Sequence, residues 1–128
     1  MGRADPVVQT KRVLVVEDDE TLRTTVAEAL EDEGYQVITA TNGVEALQLV
    51  RVAAPDAIVL DLMMPLMDGR AFLEACRREQ RCAETPVLVV SAHRKLADIA
   101  AAELRVENFM AKPFELAALL RAVDRLVA

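Results

Sequence analysis

Short apolar runs alternating with longer stretches of helical spacing constrain this chain more than any other feature. The runs are Arg12–Val16, Tyr35–Ala40, Ala57–Leu60, Val87–Val90 and Phe109–Ala111. The first, third and fourth are apolar almost throughout. That suits strands buried on both faces of a sheet rather than strands with one wet face. Between them, Glu20–Glu33 places Leu22, Val26, Ala29 and Leu30 on one helical face and stops at Gly34. Thr21 or a residue just before it caps the start. After an Asn42-Gly43 turn, Val44–Val52 turns Ala46, Leu47 and Val50 inward. Arg70–Arg78 aligns Phe72, Leu73 and Cys76, and Leu96–Leu104 is alanine-rich and weakly amphipathic. Phe114–Val127 closes the chain with Leu116, Leu119, Leu120, Val123, Leu126 and Val127 on one face.

Five strands alternating with five helices predict an α/β fold with a parallel sheet covered on both sides. Right-handed crossovers leave few topologies. The best candidate is a flavodoxin-like (βα)5 doubly wound sheet with strand order 2-1-3-4-5. Residues 12–128 form this one domain, and residues 1–11, polar and charged, read as a flexible leader.

Charged residues sit where the packing does not need them. Glu17 and Asp18 follow the first run, Asp61 closes the third, and Lys112 follows the fifth. The carboxyl ends of parallel strands form the ligand crevice of such a sheet, and its switch point lies between the first and third strands. Acidic oxygens there suit a hard cation such as Mg²⁺, and a nearby lysine suits a phosphoryl group.

Composition excludes several classes. The net charge of −6 argues against nucleic-acid binding by this domain, because phosphate backbones demand a basic face. No apolar run is long enough to span a bilayer, and the N-terminus lacks a signal-peptide apolar core. Cys76 and Cys82 have no second pair for a metal site and read as reduced, structural thiols of a cytosolic protein.

Four motifs, in order and each at a strand end, carry a resemblance. They are Val15-Val16-Glu17-Asp18-Asp19, Asp61-Leu62-Met63-Met64-Pro65 with Asp68-Gly69, Val90-Ser91-Ala92, and Lys112-Pro113-Phe114. From about Arg12 onward the chain resembles the receiver domain of two-component response regulators.

The resemblance implies a site. Asp61 matches the phosphoacceptor and Asp18 the direct Mg²⁺ ligand. Glu17 matches the neighbouring acid that reaches the metal through water, and Met63 would offer a backbone carbonyl. Asp19 is the alternative ligand in the acidic run. Ser91 matches the switch hydroxyl, Lys112 the phosphoryl-binding lysine, and Phe109 the aromatic switch position. His93 and the Met63 side chain fall where they would modulate water access. The implied donor is a sensor histidine kinase or phosphotransfer protein, in the cytoplasm, with Mg²⁺ as cofactor. The implied output is a change in the face built by the fourth predicted helix, the fifth strand and the closing helix. That face would address an effector or attached output domain that the sequence does not name, or a second copy of the chain. Such a domain signals, and catalyses only its own phosphoryl transfer and dephosphorylation.

Two departures stand out. The segment between Ser91 and Lys112 is one residue shorter than usual for the family, and Arg105-Val106 stand where Gly-Ala is common. They leave an alternative, a pseudo-receiver that keeps the fold and signals without phosphorylation. A phosphatase of the aspartate-nucleophile type would need an acid at position 63, which is Met63. A flavin carrier would need a phosphate-binding loop after the first strand, where the acids stand instead.

Overall fold

The computed structural model describes residues 10–95, 98–99, 102 and 108–128. Five strands, β1 (Arg12–Val16), β2 (Gln36–Ala40), β3 (Ala57–Asp61), β4 (Val87–Ser91) and β5 (Asn108–Ala111), form one sheet. All are parallel, in the order β2-β1-β3-β4-β5 that the alternation predicts. Among the described residues the helices are α1 (Glu20–Asp32), α2 (Gly43–Val52), α3 (Gly69–Arg78) and a closing α4 (Leu116–Val127). The fourth predicted helix, over Leu96–Leu104, lies largely outside the described residues, as do Arg105 and Val106.

Strand side chains alternate between faces, and this splits the core in two. Leu14, Val16, Ile58, Leu60, Val87 and Val89 face α2 and α3, meeting Ala46, Leu47, Val50, Phe72 and Leu73. Val13, Val15, Val59, Leu88 and Val90 face α1 and α4, meeting Val26, Leu30, Leu119 and Val123. With so few aromatics the packing is aliphatic; Phe72 is the largest fully buried side chain. Truncating it to alanine would cost about 3–5 kcal/mol.

Helix starts are set by short polar side chains. Asp19, Asn42 and Asp68 each accept a backbone N–H two or three residues into the helix that follows. The cap of α1 is therefore Asp19, and Thr21 lies inside the first turn. The closing helix begins two residues later than its apolar pattern predicts. Phe114 stays in the connection after Pro113 and packs against the α1–α4 side of the core from there, while Glu115 takes the cap position. β5 opens one residue early, because Asn108 already pairs with Leu88.

The cysteines correct an expectation. Cys76 and Cys82 were expected as reduced thiols, and the structure joins them in a disulfide. After α3 ends, Gln80 adopts a left-handed φ of 61° and the Arg81 amide bonds back to the Cys76 carbonyl. This turn carries Cys82 back against the helix, a closure that sequence spacing does not reveal.

Candidate functional site

The register of the sheet assembles the site. Val16 pairs with Leu60, so Glu17 and Asp18 emerge beside Asp61 at the switch point between β1 and β3. Asp61 pairs with Val90 and Ser91 with Ala111, which sets Ser91 and Lys112 one position beyond on the far side. The Lys112 amide donates to the Ser91 carbonyl at 3.0 Å and extends the ladder to the site's edge.

Carboxylate oxygens of Glu17, Asp18 and Asp61 all lie within 4.8 Å of one another. Glu17 and Asp61 are almost fully buried, at 6% and 4% exposure, whereas Asp18 is exposed. The Lys112 ammonium donates to Glu17 Oε1 at 2.7 Å and to Asp61 Oδ2 at 3.3 Å. Glu17 Oε2 also accepts the Asp19 amide at 3.0 Å, and Asp61 Oδ1 accepts the Met63 amide at 3.2 Å. One ammonium thus faces two buried carboxylates with a third acid at the rim. A hard divalent cation fits such a donor set, since it takes oxygen ligands and the set carries surplus negative charge.

Electrostatics follow from burial. Loss of solvent pushes the Asp61 carboxyl above its ordinary value, with Lys112 and the Met63 amide offsetting part of the rise. Glu17 is likewise raised, mainly by burial, and the nearby Asp61 charge adds to it. For Lys112, burial works against the charged form, but the Glu17 hydrogen bond and the Asp61 charge outweigh it and hold the ammonium above its ordinary value.

The acidic run divides its labour. Asp19 spends its carboxylate on the Leu22 amide at 2.8 Å, while Asp18 joins the cluster. Arg23, not anticipated from sequence, donates from one guanidinium nitrogen to the carbonyls of Glu17 (3.0 Å) and Asp18 (3.3 Å). A cation just past the acids on the first helix was the available signal. It ties the acidic loop to α1.

Ser91 is 1% exposed, and its hydroxyl oxygen accepts the His93 amide at 2.9 Å. Its hydroxyl is thus engaged in the chain turn after β4. Phe109 is half-buried against the α2–α3 side of the core, with the Arg94 guanidinium over its ring at 5.6 Å. Met63 is 54% exposed at the rim. An apolar hollow lined by Leu22, Ala92, Lys112, Pro113 and Phe114 opens beside the lysine. Among the described residues, no helix is long and apolar enough to cross a membrane.

Comparison with known proteins agrees with this geometry. Residues 13–124 match the model of the response regulator receiver domain. The response regulator MprA of Mycobacterium sp. (strain KMS) is 38% identical over 118 residues, covering 91% of this chain and 50% of that protein. The chain thus spans about half the length of the curated relatives it matches. The chemotaxis response regulator CheY4 of Vibrio cholerae superposes with a TM-score of 0.85 at 31% identity, covering 92% of this chain and 99% of that one. The receiver domain of the sensor histidine kinase PA1611 from Pseudomonas aeruginosa PAO1 superposes at 0.83 with 25% identity, covering 93% and 98%. Its structure was solved with a magnesium ion coordinated in the active site cleft. Strand order, acidic cluster and sequence agree, and the chain belongs to the response regulator receiver domains of two-component signalling.

Proposed function

We propose that the chain is a phosphorylation-dependent switch whose phosphoacceptor is Asp61. The observation that carries this reading is the convergence of Glu17, Asp18 and Asp61 on one point with Lys112 against two of them. The difficulty of the reaction is repulsion, because a carboxylate must attack an anionic phosphoryl group. Asp18 and Asp61 would hold Mg²⁺ directly, with the Met63 carbonyl beside them and Glu17 acting through water. The bound ion supplies charge neutralisation and orients the phosphoryl oxygens. The magnesium reported for the PA1611 receiver domain supports this assignment.

Asp61 attacks phosphorus, and the bond from phosphorus to a donor imidazole nitrogen breaks. The histidine leaves with its electron pair and takes a proton, and an aspartyl phosphate remains. Lys112 balances the transferred charge from the opposite side. The donor is the phosphohistidine of a sensor kinase or phosphotransfer protein in the cytoplasm. The phosphoryl group brings about −1.5 to −2 charges and three acceptor oxygens. Lys112 and the Ser91 hydroxyl bind them, the hydroxyl giving up His93. Phe109 then moves toward the vacated space. Swinging such an equilibrium from mostly off to mostly on needs about 5.5 kcal/mol. A few charge-assisted hydrogen bonds at about 1.5–3 kcal/mol each suffice. The altered β5 face then addresses an effector, an attached output domain or a second copy. His93 and the Met63 side chain set water access to the aspartyl phosphate. The pseudo-receiver alternative drew only on the altered region around Arg105, and nothing in the acidic cluster favours it.

Incubation with Mg²⁺ and acetyl phosphate tests the reading. Intact mass should rise by one phosphoryl group, and Asp61→Asn should abolish the gain. An unchanged mass in the parent chain, with Mg²⁺ bound, would overturn it.

A further inference from the structure

The loop from Met63 to Asp68 is held at two places, both by glycines. At its base the Gly69 amide donates to the Leu62 carbonyl at 3.1 Å. A Cβ on Gly69 would lie 2.5 Å from the Asp61 carbonyl oxygen, so the two ends of the loop are pinched together. At its far side the Gly43 amide donates to the Met67 carbonyl at 2.9 Å. A Cβ on Gly43 would meet the Met67 carbonyl oxygen at 2.5 Å, its Cγ at 2.7 Å and its Cβ at 2.8 Å. No side chain tolerates such approaches, and only glycine permits them.

Gly43 is itself fixed. It is the first residue of α2, it is buried, and the buried Asn42 caps the helix ahead of it. Met67 is therefore seated against a rigid element. Between the two clamps Leu66 adopts a left-handed φ of 66°. That conformation is strained for an L-residue. Its side chain is 85% exposed, so no packing of its own holds it there. The clamps impose the loop's shape, and at its start the Met63 amide is bonded to the Asp61 carboxylate.

We propose that Gly43, on a helix that contributes nothing to the acidic cluster, is a positioning residue for that cluster. Seated against Met67, it fixes the β3–α3 loop, and with it the Met63 backbone and the Asp61 carboxylate bonded to that backbone. The inference rests on the magnesium reading given above. An added methyl at position 43 changes no charge, so any effect on a cation passes through geometry.

Calorimetric titration of the folded protein with MgCl₂ tests this. Gly43→Ala should weaken binding about tenfold, the size of effect that outer-shell supports have on a metal. In acetyl phosphate labelling, the half-saturating Mg²⁺ concentration should rise about tenfold while the rate at saturating Mg²⁺ stays within about twofold. Met67→Ala removes the side chain beyond Cβ that stands against Gly43 without adding atoms, leaves the backbone bond between them, and should also weaken Mg²⁺ binding. It decides the matter if Gly43→Ala does not fold. Folded variants that bind Mg²⁺ like the parent, whatever their thermal stability, would overturn the proposal. A parent chain that binds no Mg²⁺ would instead overturn the reading of the site itself, before any variant is made.

Discussion

Lys112 stands closer to Glu17 than to Asp61. Its ammonium lies 2.7 Å from Glu17 Oε1 and 3.3 Å from Asp61 Oδ2. The lysine is thus the counter-ion of the whole acidic pair, and it occupies charge that a metal would otherwise neutralise. Under the proposed function, phosphoryl oxygens arriving at Asp61 would compete with Glu17 for the same ammonium. That competition would couple the buried glutamate, just past the end of β1, to the proposed acceptor at the end of β3.

Removing the ammonium should have two opposite effects. Lys112→Met leaves two buried carboxylates without their cation. Unfolding free energy in metal-free buffer at neutral pH should fall by about 2 kcal/mol, less than for a fully enclosed pair because the lysine side chain is 21% exposed. Magnesium should bind about tenfold more tightly, a gain of about 1.4 kcal/mol, because a competing positive charge has gone. Thermal unfolding with and without Mg²⁺ and calorimetric titration give both numbers. Unchanged magnesium affinity would show that the lysine does not compete for the acids.

The Asp61 carboxyl is raised by burial, which fixes the sign of its contribution to stability. An acid whose folded value lies above its unfolded one contributes stability that is full below the unfolded value. That contribution is lost as pH rises through the folded value. Above that folded value the ionised Asp61 is therefore a net cost to the fold. Asp61→Asn should raise the melting temperature at pH 7 by about 3 °C, or about 1 kcal/mol. The gain should shrink as pH falls through the raised folded value of the parent's carboxyl. Melting curves between pH 4 and 8 without divalent ions check this. A pH-independent difference between parent and variant would refute the electrostatic account.

The sheet was legible because every strand but the edge ones is an apolar run, and such runs are readable only as strands buried on both sides. The acids and Lys112 were legible for the converse reason: charge at the tip of a buried strand has no packing explanation. What escaped the sequence depended on chain reversals. The bond between Cys76 and Cys82 needs the left-handed turn at Gln80. The seat of Met67 on Gly43 needs two loops to meet. The bonds from Arg23 to the Glu17 and Asp18 carbonyls need α1 to start directly after the acidic loop.

Phe109 is held where it is partly by Arg94, whose guanidinium lies over the ring at 5.6 Å. Arg94 also reaches Asp98 at 3.8 Å, and both side chains are largely exposed. The stacking is therefore worth about 0.5–1 kcal/mol. If Phe109 moves inward when the site is phosphorylated, that contact must break. Arg94→Ala should then favour the activated form by about two- to fivefold. The ratio can be read from the Phe109 ring resonances at sub-saturating beryllofluoride. An unaltered ratio would mean that the arginine rides on the ring in both states.

Neighbouring acids in the run should separate cleanly by mutation. Asp19 caps α1 through the Leu22 amide, whereas Asp18 is exposed and belongs to the carboxylate cluster. Asp19→Ala should cost about 1 kcal/mol of stability, the usual worth of an N-cap. Its magnesium affinity should stay within about twofold, because alanine keeps the backbone amide that holds Glu17. Asp18→Asn should do the reverse, leaving stability within about 0.5 kcal/mol, as exposed positions do. It should weaken magnesium binding by about a hundredfold or more, since even outer-sphere partners are worth about ten- to a hundredfold. Denaturant unfolding and calorimetry on the two variants are enough. If instead Asp19→Ala loses the metal and Asp18→Asn loses stability, the register of the acidic run is shifted by one and Asp19 is the ligand.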